Sequence, residues 1–466
     1  MSNSIWIEQD QRLIWHPCTQ MHDHESFPIL PIKRAQGIWL EDFEGHRYMD
    51  AISSWWVNIF GHAHPDLNAA LCAQAQQLSH IMLAGFSHQP IIELSALLVE
   101  RAPEGLVRCF YADNGASAIE VALKMSMHAW RNQGQPKKHR FVALSNSYHG
   151  ETLGALSVTD IPLFSATYAP LLTTPLRVPS PDCSHLPATE WQQHSIAALA
   201  AVETLFSQHH SDIAAIIVEP LVQGAAGMRM YHPAYLSGLR ILCDQYRIHL
   251  IADEIAVGFG RTGTFFACEQ AKIAPDFLCL SKALTAGYLP MSVVLTTDAI
   301  YQLFYDRHEH QKGFMHSHSY TGNALAAAVA VASLQLFDRD QIILQNQQKA
   351  VWMQQTAKRI LPSAQVSNLR QCGMILAFDW VPAPGQSWDP NCRPGLLLHR
   401  AALQHGILIR PIGHQVYVMP PYIISESEME ELFEGIASAM RTAQEQPDLR
   451  WASLVQSASN HPMDLA

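Results

Sequence analysis

Between about residues 105 and 330 the chain alternates short β-rich runs with helical stretches. The runs are VRCFYA, RFVALS, AAIIVEP, HLIADE, FLCLS and MSVVLTT. Among the intervening stretches, ASAIEVALKMSMHAWRNQG carries apolar residues at helical spacing and ends at Gly134, and PAYLSGLRILCDQY reads as another amphipathic helix. Strand and helix in alternation predict a parallel sheet wrapped by helices, because a parallel crossover needs a helix's length of chain to return. The fold class is therefore α/β, a large domain with a mainly parallel sheet wrapped by helices. A smaller α+β domain is read from the two ends of the chain: a hairpin in GIWLEDFEGHRYMD turning at Glu44-Gly45, strands in MILAFDW and VYVMPPYII, and a closing helix in SEMEELFEGIASAMRTAQ. The expected bounds are 1–60 and 335–450 for the small domain, 61–334 for the large one and 451–466 for a loose tail. TTPLRVPSPDCSHLPAT reads as an irregular loop within the large domain.

A chain of 466 residues suits two or three domains or one large domain with a companion. With 48% hydrophobic and 15% charged residues it is globular in composition, and a net charge of −11 argues against a nucleic-acid surface. The first residues, MSNSIWIEQDQRLIW, show neither the basic start nor the apolar run of a secretory signal, so a cytoplasmic location is expected. Nine cysteines (Cys18, Cys72, Cys109, Cys183, Cys243, Cys268, Cys279, Cys372 and Cys392) include no C-x-x-C pair, and reduced thiols are expected. The histidine pairs His62/His64 and His316/His318 lack acidic partners and an H-E-x-x-H, so no metal is expected.

Lys282 is the one charged residue between Asp276 and Asp298. A lysine in so apolar a run either snorkels to the surface or sits where a neutral amine is useful. Asp253 ends the apolar run HLIAD, and Gly258, Gly260 and Gly263 after it form a G-x-G-x-x-G. A nucleotide fingerprint should open directly into a small-residue helix, and TFFACEQ is a poor one. Asp253 read alone is a cap or a salt-bridging carboxylate; read with Lys282 it is a strand-end acid able to face a pyridine nitrogen. Asn114-Gly115-Ala116-Ser117 precedes a long helix, an ordinary cap that also offers free N–H groups to a phosphate. Tyr148, after the run RFVALS, is either core or a ring to stack on a cofactor. Lysine, strand-end aspartate and phosphate cradle together would hold pyridoxal 5'-phosphate as a Schiff base.

These residues lie in segments that resemble the class III (ω-) aminotransferases among the fold-type I pyridoxal-phosphate enzymes: ADNGASAIEVALKM, SYHGETLGALSVTD, IIVEPLVQGAAGM, IADEIAVGFGRTGTFFACE, LCLSKALTAGYLPMS and HSHSYTGNALAAAVA. LIWHPCTQM, ISSWWVNIFGH, GAAGMRMYHP and ILIRPIGHQVYVMPPYII are similar to the members that aminate 8-amino-7-oxononanoate with S-adenosylmethionine, in biotin synthesis.

The resemblance implies a role for each matching position. Lys282 would link to the cofactor and shuttle the substrate proton, Asp253 would pair with the pyridine nitrogen, and Tyr148 would stack on the ring. Gly115 and Ala116 would give backbone N–H groups to the phosphate, Ala116 standing where the family commonly has serine. Ser319, preceded by His318, would reach the phosphate of a neighbouring subunit, implying a homodimer, with Ser317 beside them at the substrate. Arg410 would hold the keto acid's carboxylate, Trp55 and Trp56 would line the slot for its chain, and Tyr417 would lie near. Cys18 replaces a tyrosine that helps recognise substrate in the best-known members. Lysine as donor, or another ω-aminotransferase acting on ornithine, γ-aminobutyrate or acetylornithine, are the alternatives within the fold. A nucleotide-dependent oxidoreductase built on GFGRTG and a binding protein with a decayed active site are those outside it.

Overall fold

The computed structural model describes residues 2–27, 29–382, 387–388 and 393–445, in two compact units: 65–346, and 1–64 with 347 onward. The expected tail at 451–466 lies outside the described residues.

The larger unit is built on seven strands: β1 (Leu106–Ala112), β2 (Arg140–Leu144), β3 (Leu176–Val178), β4 (Ile213–Val218), β5 (His249–Asp253), β6 (Phe277–Leu280) and β7 (Ser292–Thr297). Their spatial order is β1-β7-β6-β5-β4-β2-β3. β3, β2, β4, β5 and β6 pair in parallel, whereas β7 runs antiparallel to both β6 and β1. β4 is buried along its whole length, as a central strand with both faces covered must be, which is why AAIIV reads as a continuous apolar run. All six predicted strand runs are strands.

β3 corrects the reading of TTPLRVPSPDCSHLPAT as an irregular loop. Its three residues sit between Pro175 and Pro179 and pair on one side only, with β2. So short an edge strand shows no periodicity, and flanking prolines are tolerated there.

Helix α1 (Gly115–Asn132) begins where the Asn114 side chain accepts the Ser117 N–H at 3.0 Å. Ala118, Ile119, Ala122, Met125 and Ala129 recur at helical spacing and pack in one core with Ile217, Ile251, Cys279 and Val294 of the sheet. GFGRTG is followed by a helix of only four residues, Cys268–Ala271, so the context of a dinucleotide fingerprint is absent.

In the smaller unit, Ile32–Gln36, Trp39–Asp42 and Arg47–Asp50 form an antiparallel meander that Ile407–Leu408 joins in parallel. The predicted hairpin turns at Gly45, φ +90°, where Asp42 Oδ1 accepts the N–H groups of Glu44 and His46 at 2.9 Å each. Val366–Cys372, Ile375–Trp380 and Gln415–Val418 make a second antiparallel sheet. VYVMPPYII is strand only as far as Val418, because the prolines at 420 and 421 cannot donate to a ladder. The closing helix spans Glu426–Glu445.

Candidate active site

The parallel strands of the larger unit end along one edge, and the candidate reactive side chains stand there. Asp253 closes β5, Glu219 follows β4 by one residue, Lys282 follows β6 by two, and Gly115 opens α1 just beyond β1. The register Ala252 to Val218 and Asp253 to Cys279 sets these ends side by side.

Asp253 is 5% exposed. Its Oδ1 accepts the Ile255 N–H at 3.1 Å, and its Oδ2 lies 2.7 Å from Nδ1 of His149, which is itself buried. These two contacts fix the plane of the buried carboxylate. Glu219 accepts the N–H groups of Tyr148 at 3.0 Å and Gly224 at 2.9 Å. Burial pushes its pKa up to about 7; the charge of Asp253 adds to the rise, while His149 and the two N–H groups oppose it.

Lys282 retains some solvent-accessible surface, yet its ammonium is deep enough for desolvation to dominate. Its pKa falls to about 8, with Asp253 and Glu219 as the charges resisting the fall. Its φ of +44° sits in the left-handed region, a conformation held at cost in a residue with a side chain.

At the start of α1 the Ser117 N–H is taken by the Asn114 side chain and the Ala118 N–H by the Asn114 carbonyl. The N–H groups of Gly115 and Ala116 precede these two at the positive helix end, and no partner for them is found among the described residues. Gly150 packs against this end: a Cβ there would lie 2.6 Å from Ala116 Cβ. Tyr148 is half-buried, with its hydroxyl donating to Glu151 Oε1 at 2.9 Å and its ring tilted against Phe164 at 5.4 Å.

Ser317 and Ser319 are exposed. His318 lies between them with Nε2 3.9 Å from Asp113 Oδ1, and His80 Nε2 donates to the Ser319 carbonyl at 2.5 Å. Among the described residues no group of three or more His, Cys, Asp or Glu side chains could hold a metal ion.

The smaller unit gathers the remaining predicted residues. The Arg410 guanidinium lies 5.0 Å over the Trp55 ring and donates to the Cys18 carbonyl at 3.0 Å. Trp56 meets Tyr417 edge to face at 6.0 Å. Burial pushes the Tyr417 phenol up to about 12, so it stays protonated at neutral pH. Ser53, Ser54, Trp55 and Trp56 all have positive φ, between +46° and +74°. A left-handed path costs such residues on the order of 1–2 kcal/mol each.

His149 and Glu219 were not singled out from the sequence, although both lie inside the motifs SYHGET and IIVEPLVQG. Glu219 had a readable signal, since it ends an unbroken apolar strand as Asp253 does. His149 had none, because a histidine next to a candidate tyrosine is indistinguishable from any other.

The class-III aminotransferase family model matches residues 19–440. This chain belongs to the class III aminotransferases. Its relatives in the family include an adenosylmethionine-8-amino-7-oxononanoate aminotransferase of Helicobacter pylori, 46% identical over 92% of this chain and 96% of that one. The crystal structure of the enzyme of the same name from Methanocaldococcus jannaschii superposes with a TM-score of 0.89 at 32% identity, covering 95% of this chain and 99% of that one. An ω-transaminase from Pseudomonas jessenii in complex with PMP gives 0.87 at 28% identity, covering 94% and 98%. The fold is accordingly that of the fold-type I enzymes, and this class III aminotransferase is a pyridoxal-phosphate-dependent transaminase. Among the described residues no helix is long and apolar enough to cross a membrane.

Proposed function

We propose that this aminotransferase moves the amino group of S-adenosylmethionine to 8-amino-7-oxononanoate, yielding 7,8-diaminononanoate for biotin synthesis in the cytoplasm. The observation that carries the chemistry is the meeting, along one strand edge, of a lysine with a depressed pKa, a doubly hydrogen-bonded buried carboxylate and an open helix N-terminus. That donor set fits pyridoxal phosphate: an amine for its aldehyde, a negative charge for its pyridinium, and N–H groups for its phosphate. When bound, the cofactor supplies an electron sink for removing a proton from the carbon that bears the amine.

The chain's own residues supply the rest. Lys282 Nζ, with its pKa near 8, is deprotonated in a useful fraction of molecules at neutral pH, so it serves first as nucleophile and then as the base that lifts and returns the proton. Asp253 would hold the proton on the pyridine nitrogen, and Gly115 and Ala116 would hold the phosphate. Tyr148 would cover the ring, its backbone anchored by Glu219 and its hydroxyl by Glu151. Arg410 takes the keto acid's carboxylate in its planar fork, and the indoles of Trp55 and Trp56 line the methylene chain. Cys18 contributes its carbonyl to Arg410 rather than a phenol to the substrate. Support for the substrate pair comes from the names of the relatives at 37–46% identity.

A homodimer is part of the proposal, with Ser319, His318 and Ser317 completing the partner copy's site. The exposure of Met315 (93%) and Tyr320 (66%) beside them supports a covering copy. Mixing a Lys282→Ala chain with a Ser319→Ala chain should produce hybrids more active than either parent; hybrids no better would remove the sharing.

The deciding experiment offers the enzyme pyridoxal phosphate, 8-amino-7-oxononanoate and a panel of amino donors, and weighs the diaminononanoate formed. Faster turnover with lysine than with S-adenosylmethionine would overturn the donor, and no product with either would overturn the substrate. A visible, borohydride-sensitive band on the protein tests the cofactor link by itself.

A further inference from the structure

The left-handed run Ser53–Trp56 is tied through Ser54 to one buried carboxylate. Asp50 has no exposed surface, and its two oxygens take four donors. Oδ1 accepts the N–H groups of Ser54 at 2.9 Å and Ile52 at 3.3 Å. Oδ2 accepts the Ser54 hydroxyl at 2.7 Å and His62 Nε2 at 3.0 Å. Asn58 Nδ2 lies 3.3 Å from His62 Nδ1, and Nε2 is the ring nitrogen that donates to Asp50. From the other side the Ser53 hydroxyl donates to the Met419 carbonyl at 2.7 Å.

Four consecutive non-glycine residues at positive φ do not persist on local preference, and a glycine at any of them would lower the strain. What the turn achieves is the separation of two adjacent indoles. Trp55 is 42% exposed with Arg410 over its face, while Trp56 is 5% exposed against Tyr417. A right-handed turn has the mirror-image backbone path and would send the two rings elsewhere.

We infer that Asp50, with His62 behind it, is a positioning residue for substrate recognition: it holds the left-handed turn that sets Trp55 beneath Arg410. This rests on the reading of Trp55, Trp56 and Arg410 as the keto-acid-binding residues. Asp50 touches no substrate and acts through the two indoles. His62, one of the histidine pair of GHAHP, thereby has a role without a metal.

The test uses the cofactor-loaded enzyme and three variants. Asp50→Asn keeps an acceptor for the two N–H groups but offers an amide where the Ser54 hydroxyl and His62 donate. Ser54→Ala removes one of those bonds and is the milder lesion should Asp50→Asn fail to fold. Asp50→Asn combined with Ser54→Gly places in the turn a residue that tolerates positive φ. In both single variants we expect KM for the keto acid to rise, by about tenfold in Asp50→Asn, with kcat within about threefold of wild type. Backbone hydrogen exchange should quicken in the peptide 52–58 and nowhere else, and the visible spectrum of the bound cofactor should not change. The glycine double variant should regain at least about threefold in KM over Asp50→Asn.

Faster exchange with an unchanged KM would make Asp50 purely structural and overturn the inference. Unchanged exchange in both single variants would overturn it as well, by showing that the carboxylate does not hold the turn. If the wild-type enzyme does not use 8-amino-7-oxononanoate, the substrate reading alone falls; the KM comparison then runs on whichever keto acid it aminates, and exchange needs no substrate.

Discussion

Asp253 and Lys282 stand where regular strands stop, at the carboxyl edge of a mainly parallel sheet, whereas Trp55 and Trp56 stand on a turn in which every residue has positive φ. In the larger unit the topology itself delivers the chemistry. Parallel strands end on one edge, so an acid after one strand and an amine after another become neighbours, with backbone strain at these two residues confined to the positive φ of Lys282. In the smaller unit no such geometry is available. Two adjacent indoles have different environments on a strained turn whose Ser54 bonds a buried carboxylate. On the proposed reading, the reactive groups come from the strand ends and substrate discrimination from the irregular turn. Damage to the first should therefore remove chemistry, and damage to the second should change which substrate is served.

The largest effect should come from Lys282→Ala. Loss of both nucleophile and base should cut turnover by at least about 10³-fold while circular dichroism shows the fold intact. Turnover like that of wild type would break the comparison at its strongest point.

Asp253→Asn comes next. An amide cannot hold a pyridinium proton by charge, so single-turnover rates should fall about 10²-fold with the cofactor still bound. A loss below about tenfold, equivalent to about 1.4 kcal/mol, would mean that Asp253 is not the pyridine partner.

Arg410→Lys probes the other region. Replacing a planar fork by a point charge should raise KM for the keto acid about tenfold and change the donor's less. An equal loss for both substrates would assign Arg410 to general stability rather than to one substrate.

The smallest effect concerns pH. Glu219 has a folded pKa near 7 against an unfolded value of 4.5, so between these values the folded state binds more protons than the unfolded one. By linkage the contribution of Glu219 is fully present below about pH 4.5 and is lost as pH rises through about 7. Glu219→Gln should remove that decline, measured as a flatter Tm against pH across the window. An identical slope in both proteins would show that Glu219 does not titrate there, and would remove the buried charge cluster from the account of the strand edge.

Much of the larger unit was legible because its signals are local and repeated. AAIIV, HLIAD and FLCL read as buried strands, and each is one. Asp253 and Lys282 were conspicuous as charges at the ends of apolar runs, since desolvating a charge is costly enough that its presence demands a reason. Leu176–Val178 was not legible, because three residues between prolines carry no period.

What the amino-acid order determined by itself was therefore the alternation of strand and helix, the helix start at Asn114, and the positions at which a charge interrupts apolar chain. These follow from burial and from hydrogen bonds closed within a few residues, which a sequence expresses directly. Only the tertiary structure decided that β7 runs against its neighbours, that Glu219 and His149 gather around Asp253, and that Asp50 bonds the left-handed turn carrying two tryptophans. Each of these depends on groups brought together from separate parts of the chain, or on a φ that serine and tryptophan adopt only when their surroundings oblige them, and neither leaves a local trace in the sequence.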